Sequence, residues 1–258
     1  MDREIIEKVK AQFGRQAERY AGSRPHAKGA SLELMVEWAE PRPTDCVLDV
    51  ATGTGFTAFA FAARARRVVA TDVTANMLAQ AQRLAGERGL TNLLFSLAEA
   101  EAIPFHDGTF DIATCRIAPH HFISVSRFLS EMRRVLRSDG TLVLCDSSSP
   151  EEPDASAWQQ ETERLRDPSH VRNYSPSEWR RMTEQAGFRL ERIDTEHRSH
   201  LALSDWVRTS GNDPANVLVL RERFLEASPS VRDAFQIRSE GEEIHFSWML
   251  TILLARRS

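Results

Sequence analysis

The run Cys46-Val47-Leu48-Asp49-Val50 is short and apolar, and it breaks at once into Ala51-Thr52-Gly53-Thr54-Gly55 before a helical pattern opens at Phe56. Nothing else in the chain restricts the fold so strongly. A buried strand that turns through glycines into a helix aims backbone N–H groups and a helix N-terminus at one point, where open parallel sheets hold nucleotide-like ligands. The next apolar run ends on Asp72, an acid suited to ribose hydroxyls.

The same alternation continues along the chain. Apolar runs at 47–50, 68–71, 93–96, 110–115 and 141–145 read as strands, and 56–65, 76–88 and 122–136 read as helices between them. Strands alternating with helices predict an α/β fold with a parallel sheet covered on both faces. Asp139-Gly140 supplies the turn before the fifth strand. Residues 147–154 read as a polar linker, after which Ser175-Pro176-Ser177-Glu178 predicts a capped helix over 176–186, stopped by Gly187. Two further strands are expected at 188–195 and 244–255, with a helical insertion at about 204–235 between them. Ahead of the first strand, Ile5, Ile6, Val9, Phe13, Ala17 and Tyr20 recur at helical spacing, and a second helix spans about 30–38. This N-terminal segment is expected either to brace the sheet or to lie over the ligand as a lid. The organisation expected is therefore a helical segment at 1–40, a ligand-binding core at 41–150 and a sheet-completing part at 151–258.

A net charge of −4 over 258 residues argues against a phosphate backbone as the main partner. Cys46, Cys115 and Cys145 lie in or beside strand-like runs, without the close spacing of a metal or redox site, so no metal is expected. The charged start reads as lacking a signal peptide, and the apolar run 246–255 is too short to span a membrane. A cytoplasmic protein is expected, as a monomer or homodimer.

The glycine turn does not fit a dinucleotide fingerprint, because no glycine stands at its first position and Asp49 leads it. An acid there would repel a pyrophosphate but suits the α-amino group of a ligand. Here the sequence resembles the S-adenosylmethionine-dependent methyltransferases of the Rossmann-like type, and most closely their ubiquinone and menaquinone C-methyltransferase group, over about residues 9–150. The turn from Asp49 to Gly55 matches, with Ala51 where many members carry glycine. Asp72 matches the ribose acid, with Val73 and Met77 packing near the nucleoside. The segment Ala98-Glu99-Ala100-Glu101-Ala102-Ile103-Pro104-Phe105 matches the adenine segment, with Glu99 at the amino group. The fourth strand, ending in Cys115-Arg116, matches the one beside the methionine part. The resemblance implies a seven-stranded, mostly parallel sheet in the order 3-2-1-4-5-7-6. It implies S-adenosyl-L-methionine as cofactor, with S-adenosyl-L-homocysteine as product, and Asp49, Ala51, Thr52, Gly53, Gly55, Asp72, Val73, Met77, Glu99, Ala100, Cys115 and Arg116 as its site.

Methyl transfer demands alignment, exclusion of water and, for some acceptors, removal of a proton. His120 and His121 stand just beyond the fourth strand, where ligands of such sheets bind, and at most one of two helical neighbours faces a pocket. Tyr20 and His26 resemble lid residues of the family. A loop carrying His170, Arg172 and Tyr174 is suited to an anionic or phenolic acceptor. The expected activity is methylation of a carbon or oxygen of a small organic acceptor. A non-catalytic protein that binds the same cofactor and a nicotinamide oxidoreductase are the alternatives.

Overall fold

The structure, a computed structural model, describes residues 2–21 and 29–258. Five parallel strands carry the sheet: β1 (Cys46–Val50), β2 (Arg67–Asp72), β3 (Leu93–Leu97), β4 (Phe110–Arg116) and β5 (Leu136–Ser148). β6 (Phe188–Asp194), β7 (Arg198–Ala202) and β8 (Arg238–Glu240) all pair antiparallel with the last strand, β9 (Glu243–Arg257). The main path runs β3-β2-β1-β4-β5-β9-β6. That is the expected order, with β9 as the seventh strand. The short strands β7 and β8, which the sequence reading lacked, extend β9 beyond the sheet and bring the count to 9.

Helices follow the strands as the pattern requires: α1 (Asp2–Ala21), α2 (Ala30–Ala39), α3 (Phe56–Ala62), α4 (Ala75–Glu87) and α5 (Val125–Val135). On one face Phe128, Leu129 and Met132 of α5 pack with Leu48, Leu142 and Leu144 of the sheet. On the other, Met35 of α2 and Phe61 of α3 meet Val47, Val143 and Ile252. Burial of one large side chain of this kind stabilises by roughly 1.5–3 kcal/mol. Both faces of the central strands are dry, which is why those strands lack polar alternation.

Two local features differ from expectation. The stretch read as a linker leads into a helix, α6 (Pro153–Arg166), whose N-terminus is capped by the Glu152 carboxylate accepting from Asp154 N and Ala155 N. β5 begins five residues earlier than the turn signal implied, and its pairing with β4 slips between Phe110 and Ile112, so Asp139 and Gly140 sit in an irregularity of the strand. The capping box of α7 (Pro176–Gln185) forms as read, with Ser175 and Glu178 bonded reciprocally. The helical insertion is α8 (Leu203–Ser210), α9 (Pro214–Leu225) and α10 (Pro229–Ala234). Its core is aromatic, with Trp206, Phe224, Phe235, Phe246 and Trp248 packed together. Among the described residues no helix is long and apolar enough to cross a membrane.

Candidate active site

β1 ends in a turn that two carboxylates hold in shape. Asp49 is buried beneath it, accepting hydrogen bonds from Thr52 Oγ1 (2.5 Å) and from Thr114 Oγ1 of β4 (2.7 Å). Burial pushes its carboxyl up to about 6, against those hydrogen bonds and the nearby Arg116 charge. Asp72 ends β2 and accepts from Gly53 N (2.9 Å) and Thr74 N (2.8 Å), so it ties the glycine turn to the start of α4. Burial raises this carboxyl too, and its remaining lone pairs are available to a ligand's hydroxyls. A Cβ added at Gly53 would meet no protein atom within 4 Å, because the turn opens onto a cavity.

That cavity measures about 480 Å³ and lies at the carboxyl ends of the parallel strands. Its floor is the turn, with Ala51, Thr52 and Gly53, and one end is lined by Asp72, Val73, Met77, Glu99 and Ala100. The other end holds Arg116, Ile117, Ala118, His121 and Phe122. Its roof is α1, which contributes Ile5, Ile6, Val9 and Phe13. α1 is fastened at both sides of the opening: Asn76 Nδ2 of α4 donates to Gly14 O (3.1 Å), and Gln12 Nε2 donates to Ser210 O of α8 (3.0 Å). Ile5, Ile6, Val9 and Phe13 of the apolar stripe read from the sequence therefore face the cavity. Arg116, whose pKa burial lowers, reaches back to Ser31 Oγ of α2 from Nε (3.3 Å) and Nη2 (3.2 Å). An acid bonded to a glycine turn, an exposed Glu99 and the Arg116 end of β4 line one cavity, a set whose chemistry fits S-adenosylmethionine.

Comparison with known proteins agrees with this architecture. The family described as methyltransferase domain matches residues 48–144. The uncharacterized methyltransferase YcgJ of Bacillus subtilis is 35% identical over 236 residues, covering 91% of this chain and 93% of its own length. This chain belongs to that methyltransferase family. The crystal structure of YcgJ superposes with a TM-score of 0.82 at 33% identity, covering 88% of this chain and 97% of the other. A ubiquinone/menaquinone C-methyltransferase of Paracoccus denitrificans is 34% identical over 158 residues, covering 57% of this chain and 63% of its own length.

Within this methyltransferase, nine of the twelve residues expected at the cofactor line the cavity: Ala51, Thr52, Gly53, Asp72, Val73, Met77, Glu99, Ala100 and Arg116. Asp49, Gly55 and Cys115 stand behind the wall. Asp49 accepts from Thr52 and Thr114 beneath the turn and so holds its shape. Gly55 starts α3 at φ +92°, where a Cβ would lie 2.5 Å from the Phe59 ring. Cys115 belongs to β4 and is buried in the core.

The two histidines diverge as their spacing demanded. His121 lines the cavity, with its ring edge-on to Phe13 at 4.9 Å between centroids. His120 turns away, and its Nδ1 lies 2.7 Å from Asp146 Oδ1. The loop residues do not reach the cavity. His170 is buried against Gln160, Arg172 pairs with Glu178 at the surface (2.6 Å), and Tyr174 packs on Trp179. Tyr20 belongs to α1, but its side chain, like the whole of His26, lies outside the described residues. The sequence reading missed Ile117, Phe122 and Asp146; only Asp146 carried a signal, as the first polar residue after the apolar run of β5.

Proposed function

We propose that the chain transfers the methyl group of S-adenosylmethionine to an oxygen or carbon of a small organic acceptor. The observation that carries this reading is one cavity that joins the Asp72–Gly53 cradle to an apolar chamber under α1. When bound, the sulfonium supplies an electrophilic methyl group, and the protein has only to place and dry the reaction. Asp72 and the turn hold the nucleoside, and Glu99 receives the adenine amine. Arg116, at the end of β4, faces the methionine portion. Ile5, Val9, Phe13 and Phe122 exclude water from the reacting end, and His121 is a polar side chain beside it. Cys46, Cys115 and Cys145 are free thiols, which suits work in a reducing cytoplasm.

Calorimetric titration tests the reading directly. S-adenosylhomocysteine should bind one-to-one and NAD should give no heat; the reverse pattern would make the protein a nicotinamide enzyme. Binding with no methyl transfer to any phenol, enol, amine or thiol acceptor would leave a sensor of the cofactor.

A further inference from the structure

The turn Pro119–His121 packs against the loop that follows α6, with Val171 N and Arg172 N both donating to His120 O (2.9 and 3.1 Å). That loop settles where the protons of two imidazoles sit. His121 Nδ1 lies 3.0 Å from the Ser169 carbonyl and 3.2 Å from Ser169 Oγ. A carbonyl only accepts. The Ser169 hydroxyl already donates to Asp167 Oδ1 (2.6 Å), so it turns a lone pair toward the ring. Both partners therefore require an N–H at Nδ1, and in the neutral ring Nε2 carries the bare lone pair.

Beside it, at 4.2 Å between ring centroids, His120 directs Nδ1 at Asp146 Oδ1. Asp146 is wholly buried, and its Oδ2 has no partner among the described residues. Burial of the ring opposes the charged form of His120, but the Asp146 contact outweighs it and raises the His120 pKa, which favours positive charge beside His121. His170 backs both rings. Gln160 Nε2 donates to Asn173 O, and Asn173 N donates to Gln160 Oε1, so that oxygen is the acceptor facing His170 Nε2 at 3.0 Å. The groups around His121 are thus His120 on its own turn, Asp146 from β5, Glu163 and Arg166 from α6, Asp167 and His170 from the loop, and Phe13 from α1.

We infer that His121 Nε2 is the proton acceptor for a methyl acceptor bearing an O–H group, a phenol or an enol, and that Ser169 and the His120–Asp146 pair are its positioning residues. This inference rests on the proposed methyl transfer. The acceptor's oxygen, or the carbon conjugated to it, forms the new bond to the methyl carbon. The electron pair of the broken carbon–sulfur bond stays on sulfur, and the O–H proton passes to Nε2, leaving an imidazolium. Burial and the neighbouring His120 charge depress His121 to about 3, so its lone pair is present throughout the working range of pH. A weak base suffices, because an oxygen that is losing electron density to a new carbon bond becomes a strong acid as the bond forms.

Long-range nitrogen–proton NMR of the imidazoles in the intact protein, with S-adenosylhomocysteine bound, tests the assignment without turnover. Between pH 5 and 8 His121 should show the neutral Nδ1–H pattern and no titration, and Asp146→Asn should lower the titration midpoint of His120. A His121 carrying its proton on Nε2, or titrating near pH 6.5, overturns the inference while leaving cofactor binding intact. Failure of S-adenosylhomocysteine to bind at all would instead strike the proposed function. With phenols and enolisable diketones as probes, His121→Gln should reduce kcat by about a hundredfold or more with cofactor affinity unchanged. Turnover confined to acceptors without an O–H would likewise overturn it.

Discussion

His170 offers a stability prediction whose magnitude does not depend on fine detail. The ring is buried, its Nε2 donates to Gln160, and burial with the neighbouring His120 and His121 depresses it from 6.5 to about 2. Between those values the unfolded chain binds a proton that the native state refuses, so stability falls as pH drops through 6.5. From pH 8 to pH 5 the loss is the cost of denying that proton, RT ln(1 + 10^1.5), or about 2 kcal/mol, and it holds for any native value well below 5. Gln at this position keeps an amide N–H for Gln160 but does not titrate. Urea unfolding curves of the wild type and His170→Gln at pH 5, 6, 7 and 8 give the comparison. Groups such as Asp49, raised to about 6, work in the opposite sense but are common to both proteins and cancel in the difference. The wild type should lose about 2 kcal/mol more than the variant across this range. Parallel pH dependences would mean that His170 titrates freely in the native protein, and the buried polar frame argued above would fail with it.

Four other substitutions probe the site. Ala51 holds φ 53°, so Ala51→Gly should raise stability by about 0.5–1 kcal/mol, read as a higher Tm. Gly55→Ala places a methyl 2.5 Å from the Phe59 ring at φ +92° and should cost about 2–3 kcal/mol in chemical denaturation. Asp72→Asn sets an amide N–H against one of two backbone donors and removes the charge; calorimetry should show S-adenosylhomocysteine binding weakened about tenfold to a hundredfold. Ile117 also sits at positive φ (53°), so Ile117→Gly should be more stable than Ile117→Ala by about 0.5–1 kcal/mol, the reverse of the order at an ordinary position.

The cofactor half was legible because its determinants are local. A strand, a glycine turn and an acid at the end of the next strand lie within residues 46–72, and the structure needs little else to build that wall. The acceptor half was not. α6 escaped notice because its buried positions include Gln159, Gln160, Thr162 and Glu163, so it shows no apolar period to read. β7 and β8 are short and partly or wholly exposed, and they exist because β9 extends past the sheet to pair with them. The N-terminal stripe reads the same for a brace and a lid. Which of His120 and His121 would face the cavity turned on Asp146 and Ser169, residues 26 and 48 positions away.

The two strained residues explain why the opening lies where it does. In the order β3-β2-β1-β4-β5 the direction of winding reverses between β1 and β4, and crevices form at such reversals. Ala51 follows β1 and Ile117 follows β4, each in the left-handed region that costs an L-residue roughly 1–2 kcal/mol. The backbone turns outward at each in opposite directions: Thr52 N, just after Ala51, donates to Thr71 O of β2 (2.8 Å), and Ile117 N donates to Cys145 O of β5 (2.8 Å). Each chain is thus pulled toward its outer neighbour and away from the other. The Thr114–Asp49 hydrogen bond keeps the strands together just below, and Val50 still pairs with Cys115, so the separation begins only beyond that pair. The same departure from local preference that widens the crevice carries the chain after Ile117 over to the loop at 166–174. His121 lines the cavity four residues beyond Ile117, so relaxing Ile117 should lower kcat through the proposed proton transfer before it weakens S-adenosylhomocysteine binding.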